Sequence, residues 1–137
     1  MVGPGASGEP RERADFGEVV IFSPDLAEKV IASQKTVTRR PRTGSNPSGK
    51  PGGWEDEPCR YKAGKTYAVQ PGRGKKAIGR IRVLSVRPEL MTDLDDDEAR
   101  LEGFANTREF TAKWLSIYGK GSWLDIVWRI EFELVAA

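Results

Sequence analysis

The sequence predicts an α+β fold built on a small barrel or curled sheet, and three observations lead there. Apolar and polar residues alternate over roughly five short stretches, two or three short helical stretches carry their own capping signals, and the order is β-α-β-loop-β-β-α-α-β. That order lacks the strict βα repeat of a parallel sheet. A length of 137 residues fits one core, taken here as residues 16–137 behind a flexible tail at 1–15 that is rich in Gly, Pro and charge. Hydrophobic residues at 38% and charged residues at 31% suit a polar chain that still folds.

From Glu18 the chain turns apolar and β-branched through Val19, Val20, Ile21 and Phe22 and then meets Ser23-Pro24-Asp25, an N-cap with proline at the first helical position. Leu26, Val30 and Ile31 share one helical face, and the helix should end near Ser33, because Thr36-Val37-Thr38 favours extended backbone. Lys35 therefore falls at a helix-to-strand junction. Residues 41–61 hold four prolines and four glycines among polar residues and read as a long loop, either a functional lid or a disordered segment. Lys65 to Gln70 reads as a strand, Pro71 to Gly74 as a turn, and Ala77 to Val86 as a longer strand closed by Pro88, with Ile81 and Val83 inward and Arg80 and Arg82 outward. Leu94 to Glu102 reads as a short helix with an acidic first turn and Gly103 just past its end. Asn106 and Glu109 resemble a capping box opening another helix, whose stripe of Phe110, Trp114, Ile117 and Tyr118 should pack inward. The last segment alternates Trp128, Ile130, Phe132 and Leu134 against Arg129, Glu131 and Glu133, the pattern of a half-buried antiparallel strand.

Composition excludes several chemistries. Twenty-two Lys plus Arg against 20 Asp plus Glu give a net charge of +2, so overall charge does not mark a nucleic-acid binder. The chain has no histidine, which removes Ser-His-Asp and His-zinc chemistry and leaves Lys, a carboxylate, Tyr or Cys59 as the possible bases. Cys59 is the single cysteine, so no intramolecular disulfide and no cysteine-zinc cluster can form. No run of 18 apolar residues occurs and the N-terminus is no signal peptide, so a soluble, cytoplasmic protein is expected, without membrane contact or cofactor.

Lys35-Thr36-Val37-Thr38-Arg39-Arg40 places three cations and two hydroxyls in six residues. It is either the wall of a binding pocket or a solvated basic strand whose threonines serve β propensity. Glu102 is out of place at the negative end of a helix dipole, and is either a tolerated exposed glutamate or a partner for a cation such as Lys35. The run Asp95-Asp96-Asp97-Glu98 suits a helix N-terminus better than a metal. Lys75 and Lys76 with Arg73, Arg80 and Arg82 form either a phosphate patch or a solvated strand face, and Trp54 in the loop could stack on a base.

The stretch VIFSPDLAEKVIASQKTVTRR, residues 20–40, resembles the signature of the ASCH family, with its Gly-x-Lys-Thr-x-Thr-Arg pattern. Tyr61-Lys62-Ala63-Gly64, Leu101-Glu102-Gly103-Phe104 and Trp128-Arg129-Ile130-Glu131-Phe132 resemble later family segments in the same order. The resemblance implies a PUA-like small β-barrel with flanking short helices and a pocket for a modified nucleoside or RNA. It further implies similarity to small bacterial amidohydrolases that convert N4-acetylcytidine to cytidine with a Lys, a Thr and a Glu, matched here by Lys35, Thr38 and Glu102. Thr36, Arg39, Arg40 and Trp54 would then contact substrate, and the other readings open to this fold are a non-catalytic RNA-binding module or a ribonuclease. Two features depart from the family: Ser33 stands where glycine is usual, and the 41–61 loop is longer than in the compact amidohydrolases.

Overall fold

In the computed structural model the described residues are 18–41, 59–119 and 126–137. The 1–15 tail, Trp54 and nearly all of the 41–61 loop lie outside them. Five strands form one sheet: β1 (Val19–Ile21), β2 (Val37–Pro41), β3 (Thr66–Gln70), β4 (Gly79–Leu90) and β5 (Ile126–Ala136). Among the described residues three α-helices accompany it, α1 (Pro24–Ile31), α2 (Asp96–Leu101) and α3 (Thr107–Tyr118), with a 3-10 turn at Met91–Asp93 before α2, in the order β1-α1-β2-β3-β4-α2-α3-β5. This is the α+β fold expected from the alternation and caps. No helix among the described residues is long and apolar enough to cross a membrane.

The strand order in space is β1-β3-β4-β5-β2, with β1 parallel to β3 and every other pair antiparallel. Register shifts between Arg80 and Ile81 and between Val83 and Ser85 add bulges to the β4–β5 ladder, and bulges bend and twist a strand. The sheet curls accordingly. Its edge strands, β1 and β2, are not joined by a ladder, but the Arg40 guanidinium on β2 donates through Nη2 to the Ile21 carbonyl on β1 at 3.0 Å. A side chain thus spans the gap where a closed barrel would have a ladder.

The strand β4 runs on through Pro88, which lies opposite Trp128, to Leu90. The expected stop at Pro88 is overturned because β3 flanks β4 only over Gly79 to Arg82. Beyond that stretch β4 pairs only with β5, and proline is tolerated in a strand with one open side.

The apolar residues divide into two clusters, one for each face of β5. Ile130 and Phe132 join Val20, Phe22, Ala27, Val30, Val69, Ile81 and Val83 beneath α1, with Trp128 partly buried against them. Val127 joins Met91, Ala99, Phe110 and Trp114 beneath α2 and α3. The second cluster corrects two expectations. Arg129 shares a face with Val127 and is buried by α2 rather than solvated, and only Phe110 and Trp114 of the α3 stripe pack inward, leaving Ile117 57% and Tyr118 41% exposed. The last turn of α3 extends past the core.

Candidate functional site

The site begins with two helix ends. At the C-terminus of α1, Gln34 N–H donates to Lys29 O and Ser33 N–H to Val30 O, a Schellman motif with Ser33 at φ 61° in the left-handed region that favours glycine. Lys35 follows directly. At the C-terminus of α2, Phe104 N–H donates to Ala99 O and Gly103 N–H to Arg100 O, a second Schellman motif with Gly103 at φ 97°. Glu102 is the last residue before that turn.

The two ends are joined. Three consecutive carbonyls at the end of α2 accept from the α1–β2 segment: Leu101 O from Thr36 N–H at 2.9 Å, Glu102 O from Lys35 Nζ at 2.9 Å, and Gly103 O from Lys29 Nζ at 2.5 Å. Such carbonyls have no partner within their own helix, and cations suit the negative end of its dipole. The packing that caps α2 therefore also sets Lys35 beside Glu102.

Lys35 Nζ donates to Glu102 Oε1 at 2.8 Å and to Val37 O at 2.8 Å as well, so all three ammonium donors are taken, and both side chains are almost wholly buried. Burial pushes the Lys35 ammonium below the ordinary lysine range, against the opposing pull of the Glu102 carboxylate and its hydrogen bond. Glu102 Oε2 accepts from Arg39 Nη1 at 3.0 Å. Arg39 continues the chain through Nη2 to Glu98 at 2.6 Å and to Glu89, and Glu98 also accepts from Arg129 Nε at 2.8 Å. Hydrogen bonds from Arg129 and then Arg39 outweigh burial at Glu98 and hold its carboxyl at about 2, well under the usual carboxylate value. Burial disfavours the charge on Arg39, and the carboxylates of Glu102, Glu98 and Glu89 more than offset it. Three cations and three anions are thereby matched.

Thr38 and Arg39 lie opposite Ile130 and Arg129 respectively, so their side chains leave opposite faces of β2. Because β2 is an edge strand, both still line one cavity of about 320 Å³, at the small end of ligand pockets. The cavity occupies the gap between the two sheet edges, with Ile21 and Phe22 from the β1 side and Thr38, Arg39 and Arg40 from β2. Lys35, Thr38 and Glu102 are its buried floor, 2%, 5% and 2% exposed. Thr38 Oγ1 accepts from Arg40 Nε at 3.2 Å, not from Lys35, and the Arg40 guanidinium lies 5.1 Å from the centre of the Phe22 ring.

Of the expected contact residues, Arg39 and Arg40 line the cavity and Thr36 does not. Thr36 is fixed through its backbone, its carbonyl accepting from Phe132 N–H. Trp54 lies outside the described residues. Nothing in the sequence marked the aromatic wall made by Phe22, Phe104, Trp114 and Tyr118, of which Trp114 and Tyr118 belong to the α3 stripe expected to pack inward. The Tyr118 ring centre lies 4.4 Å from that of Trp114 with the rings tilted by 48°, and burial pushes its phenol above the ordinary tyrosine value, so it stays a neutral donor. The acidic run is taken up by protein partners: Asp95 caps α2 through Glu98 N–H, Asp96 accepts from Thr107 N–H and Asp97 pairs with Arg100, all nearby, whereas Glu98 reaches Arg39 and Arg129 across the fold. Among the described residues no cluster of three His, Cys, Asp or Glu side chains is placed to hold a metal.

No family model and no curated protein matches this sequence. Solved structures do. An ASCH domain from Lactobacillus crispatus aligns over 96% of this chain and 89% of its own at TM-score 0.60 and 14% identity. A DUF984-family protein from Enterococcus faecalis aligns over 87% and 81% at TM-score 0.59 and 19% identity. A point mutant of an ASCH protein from Zymomonas mobilis aligns over 84% and 67% at TM-score 0.54 and 14% identity. The fold shared across these likenesses is the ASCH fold.

Proposed function

Starting from the ASCH fold, we propose that the cavity is the active site of an amidohydrolase that removes the acyl group from N4-acetylcytidine or a related N4-acylated cytosine nucleoside. The observation that carries this reading is the 2.8 Å bond between Lys35 Nζ and Glu102 Oε1, formed across 67 residues of sequence at a buried floor shared with Thr38. A base needs a free amine, and in the resting site every Lys35 donor is engaged. Burial pushes the Lys35 ammonium toward giving up a proton, and passage of that proton along the bond to Glu102 leaves a neutral amine beside Thr38.

Lys35 then takes the proton from Thr38 Oγ1 as that oxygen adds to the acyl carbonyl carbon. Arg40, already bonded to Thr38 Oγ1, steadies the charge developing there. Glu102 gives its proton to N4 as the C–N4 bond breaks, releasing cytidine and restoring the ammonium-carboxylate pair. Water next adds to the acyl carbon of the Thr38 ester, the Lys35-Glu102 pair takes one of its protons and returns it to Thr38 Oγ1 as the ester C–O bond breaks, and the carboxylic acid departs with Thr38 regenerated. The aromatic wall supplies faces for a stacked base.

Incubation with N4-acetylcytidine, with cytidine followed by chromatography, tests the proposal. Turnover is expected in the unaltered protein, with a fall of at least about 100-fold in Lys35→Ala and Thr38→Val, the scale of general-base or nucleophile loss. An inert native protein, or full activity in a folded Lys35→Ala variant, would sink it.

A further inference from the structure

The proposed reaction leaves one atom without a partner. As Thr38 Oγ1 adds to the acyl carbon, the carbonyl oxygen takes up the electron pair of its own double bond, and an oxyanion formed in a buried site needs a donor aimed at it. This requirement rests on that reaction. Besides Thr38, most of the polar side chains lining the cavity are committed. Lys35, Arg39 and Glu102 belong to the buried network, Arg40 holds Thr38 Oγ1 and the Ile21 carbonyl, and Ser23 Oγ donates to Asp25. Lys113 and Tyr118 remain, and neither side chain makes a hydrogen bond or ion pair among the described residues.

Their surroundings separate the two. The charge in range of Lys113 is that of Asp25, in the first turn of α1. The charges in range of the Tyr118 phenol are Arg40 on β2 and Glu102 at the floor, with Tyr61 also near. The α3 helix explains that placement. Tyr118 follows Trp114 by four residues, about one turn, so the two side chains share a face and their ring centres lie 4.4 Å apart. Trp114 is buried in the second cluster, and the Tyr118 ring, 41% exposed, rests on it where the core gives way to the cavity. With its ring set against Trp114, the phenol keeps its hydroxyl on the side of Arg40 and Glu102.

We propose that the Tyr118 hydroxyl donates a hydrogen bond to the acyl carbonyl oxygen as it becomes an oxyanion, which makes Tyr118 a catalytic residue alongside Lys35, Thr38 and Glu102. The proton stays on the phenol. The electron pair returns to the carbonyl when the C–N4 bond breaks, so nothing further is consumed. A neutral donor suits this place, because it stabilises the oxyanion without adding a cation beside Lys35, whose own charge burial already disfavours.

Tyr118→Phe removes one oxygen and keeps the ring on Trp114, so its melting temperature should match that of the native protein. With N4-acetylcytidine, kcat is expected to fall roughly 100–1000-fold, the scale of one lost oxyanion donor, while KM and the affinity for cytidine stay close to native. Native kcat in a folded Tyr118→Phe variant, as would follow if Arg40 Nη1 met that oxygen instead, overturns the inference. So does native kcat with weakened cytidine binding, which would make the phenol a contact for the base. A second measurement needs no turnover. Cytidine carrying a methylphosphonyl group on N4 places an anionic, tetrahedral phosphorus where the acyl carbon would sit, and Tyr118→Phe should weaken its binding by at least about tenfold and leave cytidine unaffected. Equal affinity of the two proteins for this analogue refutes the hydrogen bond. A native protein that does not hydrolyse N4-acetylcytidine sinks the amidohydrolase reading, and the analogue still decides whether the phenol meets a ligand oxyanion.

Discussion

Ser33 shows what one backbone angle sets in this molecule. Its φ of 61° completes the Schellman turn that aims Lys35 at the α2 terminus, and a side chain in that region costs on the order of 1 kcal/mol relative to glycine. Ser33→Gly should therefore stabilise the fold by roughly 0.5 kcal/mol once the greater freedom of glycine in the unfolded chain is subtracted, a change readable as a higher denaturant midpoint at constant slope. A lower midpoint would mean that the serine side chain makes an interaction worth more than the strain. Glu102 is the opposite case. Its carboxylate serves Lys35 on one oxygen and Arg39 on the other, so Glu102→Ala strands two buried cations and should destabilise by about 3–5 kcal/mol. The same measurement checks it, and a loss below about 1 kcal/mol would show that water replaces the carboxylate at little cost.

At the scale of elements, the start of β4 is the tightest joint. A Cβ on Gly79 would fall 2.5 Å from Ile31 Cδ1 and 2.7 Å from the Ala136 carbonyl oxygen, and the second contact is backbone that cannot swing aside. Gly79→Ala should destabilise by about 1–3 kcal/mol through overpacking between α1 and the β4–β5 ladder, and thermal melts would register the loss. Unchanged melting would mean that the two strands separate freely at that end. The order and type of the elements were legible because their signals are local: alternation over Ile130 to Leu134, Asn106 with Glu109, Gly103 after Glu102. Burial of polar residues was not. Arg129 reads as a solvent-facing residue from its own strand, and only the packing of α2, which brings Glu98 to it, covers that face. Ile117 and Tyr118 continue an apolar stripe, yet the core ends one turn earlier and they become cavity rim. Glu102 was visible as an anomaly at a helix end, while its bonds to Lys35 and Arg39 depend on two helix termini meeting across the fold.

Across the whole molecule, the sheet edge, α2 and the cavity floor are held together by one run of matched charges, Lys35-Glu102-Arg39-Glu98-Arg129 with Glu89 at its side. Its weak point under acid is Glu98, with a carboxyl held at about 2 in the fold against an ordinary 4.5. A carboxyl depressed by folding contributes stability that is fully present above its unfolded value and disappears as the pH falls through the folded one. The window for this group is thus from about 4.5 down to about 2. Within it, protonation removes the anion between Arg39 and Arg129 and leaves two guanidinium groups facing one another, both still charged at any such pH. Acid should accordingly loosen α2 from β2 and β5, the contact that places Glu102 beside Lys35. Urea midpoints recorded between pH 6 and pH 2 are expected to fall in the native protein and to fall less steeply in Glu98→Gln, which starts lower because it carries no charge at any pH. Parallel pH profiles for the two proteins would show that acid sensitivity arises at other carboxylates and that Glu98 does not hold the network closed.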